Sequence, residues 1–273
     1  MEYQVTPESV EQFSTRYVAL GDSFTEGLGD PDEQRPNGVR GWADRVAEQL
    51  ALADSCLGYA NLAIRGKKLR QVLAEQLDVA LGLEPTVVTL YAGANDILRP
   101  SVDIDALMLE YNKAVAALRS QGASVLVFTG FDSGASKVFG ATRGRTAIYN
   151  EFVRGIAADH GATVVDYWRF AEYQDWRLWG EDRMHMSTPG HINMARRVLS
   201  VMGHDLPEDS GVEVPELPEL PQLSVAEQLR ANAKWAKEFA APWVVRRVTG
   251  RSSGDGLSPK YADLVSALEL GSL

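Results

Sequence analysis

Near its N-terminus the chain reads Tyr17-Val18-Ala19-Leu20-Gly21-Asp22-Ser23-Phe24-Thr25-Glu26-Gly27. The first four residues are apolar and predict a short buried strand. Glycine, aspartate and serine follow at once, and such residues are typical of tight turns. The stretch therefore predicts a strand that turns into a helix and presents the hydroxyl of Ser23 at the end of the strand.

Strands and helices alternate along the chain as far as about residue 203. The predicted strands cover 16–20, 59–62, 86–91, 124–129 and 162–166, and the predicted helices cover 41–52, 68–81, 103–120, 143–159 and 188–202. Continuously apolar strands in such alternation predict an α/β fold, with a five-stranded parallel sheet covered by helices on both faces. Ligands bind beyond the carboxyl ends of parallel strands. Ser23 and Asn95, which follow the first and third strands, are therefore expected at one edge of the sheet.

Composition and charge restrict the class of protein. The chain has 273 residues, 45% of them hydrophobic, so it can bury a full core. Its formal net charge of -10 argues against binding of nucleic acid. The single cysteine, Cys56, excludes an intrachain disulfide and is expected to be a small buried residue. Because there is neither a secretory leader nor an apolar run of ~20 residues, the sequence predicts a cytoplasmic protein without a membrane-spanning segment, with cleavage from a longer precursor as the alternative.

The composition changes after the last predicted helix of the body. Residues 205–223 are rich in Pro, Glu and Asp, and we interpret them as an acidic linker between a body, residues 1–204, and a C-terminal extension, residues 224–273. Helices are predicted in the extension over 224–240, 243–247 and 261–270. The extension has too little apolar material for its own core, yet too many large apolar side chains to leave in water. We expect it to dock on the body or on a partner subunit, which would give a homodimer; a disordered tail is the alternative.

A serine hydroxyl becomes a good nucleophile when a base takes its proton and a third group orients that base. The chain has four histidines, His160, His185, His191 and His204. Among them His185 follows an acid by three residues in a loop, in Asp182-Arg183-Met184-His185. His185 is therefore the predicted base and Asp182 its partner. The alternatives are a solvated loop histidine, a loop-capping role for Asp182, and Glu181 as the competing acid.

Acyl transfer also requires hydrogen-bond donors for the oxyanion that forms. Three donors are predicted: the backbone N–H of Ser23, the backbone N–H of Gly66 after the second strand, and the side-chain amide of Asn95 after the third. The alternatives are a simple turn glycine at position 66 and a loop-stabilising asparagine at position 95. Gly27 and Gly93 are expected to serve backbone geometry.

These segments resemble the four sequence blocks of the SGNH hydrolases, the GDSL esterase/lipase superfamily. The matching residues, in the family order, are Gly21-Asp22-Ser23 with Gly27, then Gly66, Gly93-x-Asn95-Asp96 and Asp182-x-x-His185. Phe24 stands in place of the usual leucine. The resemblance covers residues 16–203. It implies a flavodoxin-like three-layer α/β/α fold, an oxyanion hole from Ser23, Gly66 and Asn95, and hydrolysis of carboxylic esters without a metal or cofactor.

The predicted function is that of a serine esterase acting through an acyl-enzyme on a small-molecule ester. A carbohydrate deacetylase or a thioesterase is the more specific alternative, since substrate choice depends on loops. Four aromatic residues are candidate walls of the acyl or leaving-group pocket, with ordinary packing as the alternative: Phe131, Phe139, Trp176 and Trp179. A catalytically silent binding module is disfavoured because no motif residue is missing. A metal hydrolase is disfavoured because the sequence has no HExxH motif or His/Cys cluster.

Overall fold

The centre of the molecule is a six-stranded sheet with the strand order β5-β4-β3-β1-β2-β6. The computed structural model describes residues 10, 12–136, 139–204, 215–217, 219–221 and 223–270. The strands are β1 (Thr15–Gly21), β2 (Leu57–Asn61), β3 (Val87–Tyr91), β4 (Ser124–Phe128), β5 (Thr163–Val165) and β6 (Tyr261–Ser266). β1 to β5 are parallel to one another, and β6 is antiparallel to β2.

Helices connect the parallel strands, as the sequence predicts. They are α1 (Ser23–Glu26), α2 (Gly41–Ala53), α3 (Leu69–Val72 continuing through a π turn, Leu73–Leu77, to Asp78–Gly82), α4 (Ala94–Ile97), α5 (Ile104–Ser120), α6 (Arg143–His160) and α7 (Thr188–Val201). Short 3-10 turns cover Pro36–Gly38, Ser133–Ala135, Gly140–Thr142, Tyr167–Arg169, Ala171–Gln174 and Trp176–Leu178. Asp103 caps the start of α5, since its carboxylate accepts a hydrogen bond from the N–H of Ala106 at 3.1 Å.

Helices cover both faces of the sheet. Successive residues of a strand point to opposite faces, and Val18 and Leu20 of β1 pack with side chains of α3, α5 and α6. Tyr17 and Ala19 pack on the other face, with side chains of α2 and α7. β1 is therefore buried on both sides, and the predicted three-layer α/β/α fold is confirmed.

The C-terminal extension contains a strand where the sequence predicts a helix. Residues 261–270 were predicted to be helical, and this is wrong for Tyr261–Ser266, which form β6; only Ala267–Leu270 are helical, as α10. In register, Tyr59 lies opposite Val265 and Asn61 opposite Tyr261. Apolar residues at 261, 264, 265 and 268 have the spacing of a helix face, but pairing with the free edge of β2 overrides that local pattern.

The other two helices predicted in the extension are present, and residues 249–260 between them and β6 form turns and irregular structure. α8 (Val225–Trp235) continues through a π turn, Ala236–Ala240, into α9 (Ala241–Val248). Ser224 and Glu227 form a reciprocal capping box at the start of α8. Residues 205–214, 218 and 222 of the predicted linker lie outside the described residues, and its boundaries stay a prediction.

Two further expectations concern burial and membranes. Cys56 is exposed, contrary to prediction, because it lies in the turn between α2 and β2. In the described part of the chain, no helix is both long enough and apolar enough to cross a membrane.

Candidate active site

Ser23 is the first residue of α1, separated from the end of β1 only by Asp22. The turn before it requires glycine, because a Cβ on Gly21 would lie 2.5 Å from the carbonyl oxygen of Tyr91. Asp22 caps α1, its Oδ1 accepting a hydrogen bond from the N–H of Phe24 at 3.2 Å. The turn ends at Gly27, where φ is 105° and the backbone packs against Gly41. The Ser23 hydroxyl is thereby held, half-buried, at the carboxyl edge of the sheet.

His185 lies on the loop between the 3-10 turn Trp176–Leu178 and α7. Asp182 shapes this loop, since its Oδ1 accepts hydrogen bonds from the backbone N–H groups of Met184 at 2.9 Å and His185 at 3.0 Å. The loop approaches the backbone that follows α1 closely, because Gly29 has no side chain there. A Cβ on Gly29 would lie 2.1 Å from the carbonyl oxygen of Met186.

A continuous series of hydrogen bonds joins three of the predicted side chains. His185 Nε2 lies 3.1 Å from Ser23 Oγ, and His185 Nδ1 lies 2.5 Å from Asp182 Oδ2. Burial by itself would raise the pKa of Asp182, but hydrogen bonds from His185 and from the loop N–H groups outweigh it and hold that pKa below its ordinary value. An ionised Asp182 accepts from Nδ1–H, which leaves the Nε2 lone pair facing the serine. Asp182, and not the competing Glu181, is the acid in contact with the ring.

Asn95 lies in the first turn of α4, at the same edge of the sheet. Its Nδ2 donates hydrogen bonds to Asp22 Oδ2 at 3.0 Å and to the carbonyl oxygen of Lys67 at 3.1 Å. Both amide hydrogens are thus engaged. Burial raises the pKa of the Asp22 carboxyl to about 7, and the Phe24 N–H, the His185 charge and the Asn95 amide each oppose that rise. Asp22 therefore exchanges a proton near neutral pH directly beside Asn95.

Gly66 lies on the loop after β2, with φ at 78°. The bond from Asn95 to Lys67 brings this loop beside Asn95, but Gly66 is not among the residues that line the cavity at Ser23. The loop is tied to α1 through the buried Glu26 carboxylate, which accepts from the backbone N–H of Arg65 at 2.6 Å. A Cβ on Gly66 would lie 2.1 Å from Ser252 Oγ. Glycine therefore has a structural reason to occupy this position, and its role as an oxyanion donor stays a prediction.

A cavity of about 190 Å³ opens at Ser23 and His185. All four aromatic residues predicted as pocket walls line it: Phe131, Phe139, Trp176 and Trp179. Phe24, which replaces the family's usual leucine, also faces the cavity, its ring 4.5 Å from that of Tyr91 between centroids. An aromatic and apolar wall beside a serine and a histidine suits a group whose carbonyl lies at the hydroxyl and whose hydrocarbon part lies inside.

The comparison with protein-family models gives one match, to the GDSL-like Lipase/Acylhydrolase family over residues 19–191. This match spans well over half of the sequence. The chain belongs to the GDSL-like lipase/acylhydrolase family. The resemblance read from the four blocks is thereby confirmed, and the protein is an ester hydrolase of the SGNH type.

Solved structures of the same fold include esterases. A variant of Axe2, an acetyl xylan esterase from Geobacillus stearothermophilus, is 19% identical, with a TM-score of 0.60 over 71% of this chain and 97% of that one. LAE5, an α/β hydrolase from the metagenome of Lake Arreo, Spain, is 21% identical, with a TM-score of 0.56 over 72% and 98%. TesA is 20% identical, with a TM-score of 0.55 over 69% and 98%. No curated protein matches the chain significantly.

Sequence reasoning on this GDSL-like hydrolase missed two features of the site. Asp22 lies inside the quoted first block, and its burial was missed because its neighbours, Gly21 and Ser23, give no hydrophobic signal. Trp243 of α9 also lines the cavity, although it lies more than two hundred residues from Ser23 in the chain. Its apolar character was visible in the sequence, but the surface on which it docks was not.

Proposed function

We propose that this protein is a serine esterase in which Ser23 is the nucleophile, His185 the general base and Asp182 the residue that orients the base. The observation that carries the proposal is the hydrogen-bonded series from Ser23 Oγ through His185 to Asp182 at the mouth of an apolar cavity. Geometry of this kind activates a serine hydroxyl. Axe2, which shares the fold, has catalytic mutants at a serine and at a histidine.

The first half of the reaction forms an acyl-enzyme. Ser23 Oγ attacks the carbonyl carbon of the ester while its proton passes to His185 Nε2, and the carbonyl π electrons move to oxygen. Asp182 stabilises the imidazolium that results. Collapse of the tetrahedral intermediate breaks the bond to the alcohol oxygen, which takes the proton from Nε2 and leaves. The acyl group is then bonded to Ser23.

The second half returns the free enzyme. His185 Nε2 takes a proton from water, whose oxygen attacks the acyl carbon, and the proton is delivered to Ser23 Oγ as the carboxylic acid leaves. In both halves the oxyanion accepts hydrogen bonds from the N–H of Ser23, the N–H of Gly66 and the amide of Asn95. Because Asp22 and Lys67 already accept both amide hydrogens of Asn95, one of these bonds must be shared with the oxyanion.

The aromatic cavity favours esters with an apolar acyl group. The acetyl xylan esterases among the structures of the same fold make a carbohydrate deacetylase the second candidate, and a thioesterase is a third. A cytoplasmic location, the absence of nucleic-acid binding, and a homodimer formed through the extension are carried forward from the sequence as predictions. Fractionation, a nucleic-acid binding assay and sedimentation test these three.

A substrate panel tests the proposal. Initial rates are measured on p-nitrophenyl acyl esters, acetylated sugars and acyl thioesters with the wild type, Ser23→Ala and the matched control Ser14→Ala, which alters an exposed serine ahead of β1. We expect turnover of an acyl ester that is lost in Ser23→Ala and kept in Ser14→Ala. Equal rates in Ser23→Ala and wild type would overturn the proposal, and turnover of acetylated sugars alone would select the second candidate.

A further inference from the structure

Helix α8, which continues into α9, lies against the loop that carries Asp182 and His185. Trp235 Nε1 donates a hydrogen bond to the backbone oxygen of Asp182 at 2.9 Å. Arg183 Nη1 donates to Asn232 Oδ1 at 2.9 Å, and the Arg183 guanidinium lies 5.2 Å from the centre of the Trp235 ring. Two side chains of α8 thus hold the two residues that precede Met184 and His185.

The same pair of helices brings Trp243 to the cavity. Among the described residues that line the cavity, Trp243 is the one that comes from the C-terminal extension; the others belong to the body. The aromatic walls from the body include Phe131, Phe139, Trp176 and Trp179, together with Phe24. The C-terminal extension thus contributes one aromatic side chain, Trp243, to the wall of the cavity.

We propose that Trp243 determines specificity by closing the acyl cavity and limiting the length of acyl chain that it accepts. This inference rests on the proposed esterase function and names the substrate class: esters of short acyl chains. An apolar cavity of ~150 Å³ holds benzene, which has six carbon atoms. The cavity of about 190 Å³ therefore suits an acyl group of roughly six carbons. Removing the indole extends the space for longer chains.

The attachment of these helices allows the indole to be removed without loss of the fold. Within residues 225–248, no side chain whose exposure is described is fully buried. Val245, two residues further along α9, is 60% exposed and does not line the cavity. Val245→Ala is therefore a control for a truncated side chain on the same helix.

The experiment measures kcat/KM for p-nitrophenyl acetate, butyrate, octanoate and decanoate with wild type, Trp243→Ala, Trp243→Phe and Val245→Ala. We expect the decanoate-to-butyrate ratio to rise about tenfold or more in Trp243→Ala, less in Trp243→Phe, and not in Val245→Ala, since each added methylene in an apolar pocket is worth about tenfold or more. An unchanged ratio in both Trp243 variants would overturn the inference.

A binding measurement separates this inference from the proposed function. Calorimetry in the Ser23→Ala background, with decanoate and butyrate as probes, reports on the cavity without turnover. Stronger decanoate binding on adding Trp243→Ala supports the inference even if the wild type hydrolyses no ester, in which case the proposed function alone fails. Ser23-dependent hydrolysis with unchanged decanoate binding and an unchanged ratio leaves the proposed function standing and overturns the role of Trp243.

Discussion

The two parts of the C-terminal extension differ in how they join the body. Residues 261–270 form β6 and α10, and four of their side chains are buried: Tyr261, Leu264, Ala267 and Leu270. Residues 225–248 form α8 and α9, and none of their described side chains is fully buried. The first part belongs to the sheet, whereas the second rests on the loop of Asp182 and His185.

Lys260, the residue before β6, forms a buried ion pair with Asp44 of the body. Its Nζ lies 2.8 Å from Asp44 Oδ1, and both side chains are completely buried. Nζ also donates to the backbone oxygens of Arg40 and Val39. Burial lowers the pKa of Lys260, and the Asp44 carboxylate opposes that shift. One C-terminal extension therefore supplies both a strand of the sheet, β6, and a helix, α9, that places Trp243 at the cavity.

The largest expected effect is on stability. Lys260→Met leaves the Asp44 carboxylate buried without its partner, and we expect a loss of about 3–5 kcal/mol in the free energy of unfolding, measured by urea denaturation. Lys234→Met is the matched control, because Lys234 of α8 is 74% exposed and lies 4.0 Å from Glu238. Its expected change is within about 0.5 kcal/mol. Similar losses in the free energy of unfolding of the two variants would contradict the difference in attachment between the two parts of the extension.

The second prediction concerns how stability depends on pH near the start of α2. There Lys260 Nζ donates hydrogen bonds to the backbone oxygens of Val39 and Arg40. His191 Nδ1 accepts the Trp42 N–H at 3.2 Å, and Nε2 donates to the Leu28 oxygen at 3.2 Å, so the ring is neutral. Burial lowers the pKa of His191 from 6.5 to about 4. Between pH 6.5 and pH 4 the unfolded chain binds a proton at His191 and the folded chain does not. The free energy of unfolding therefore decreases as the pH falls through this range.

We therefore expect His191→Gln to destabilise the protein more at pH 7 than at pH 4.5, by about 2–3 kcal/mol, in urea titrations at both pH values. Asp22 acts in the opposite direction, because its folded pKa of about 7 lies above 3.8 and its protonation favours the folded state in acid. That contribution is common to both proteins and cancels in the difference. A pH-independent effect of the substitution would contradict a buried neutral histidine.

The smallest effect should come from the contact of α8 with the loop that carries Asp182 and His185. Trp235→Phe keeps an aromatic ring under Arg183 but removes the hydrogen bond to the Asp182 oxygen. We expect kcat to fall about two- to tenfold with little change in KM or melting temperature. Trp168→Phe, the same change away from the cavity, should leave kcat unaltered. If Trp235→Phe lowers the melting temperature as much as Lys260→Met does, the helices are part of the core after all.

The sequence predicted the parts of the molecule that local patterns determine. The apolar run 17–20 and the turn at Ser23 are encoded in consecutive residues, and so is the bend that lets Asp182 contact His185 three residues later. β6 was missed because its partner, β2, lies about two hundred residues earlier in the chain. Trp243 was missed for the same reason, since its place in the cavity depends on long-range docking. Pairing and docking partners of this kind are not contained in a local pattern.

The central claim is that Ser23 is the nucleophile and that His185 activates it. Its most direct test is labelling with a serine-reactive organophosphonate, followed by peptide mapping with mass spectrometry, in wild type, Ser23→Ala and His185→Gln. We predict a single adduct on the peptide that contains Ser23, no adduct in Ser23→Ala, and much slower labelling in His185→Gln. An adduct on another serine, or labelling of His185→Gln at the wild-type rate, would contradict the claim.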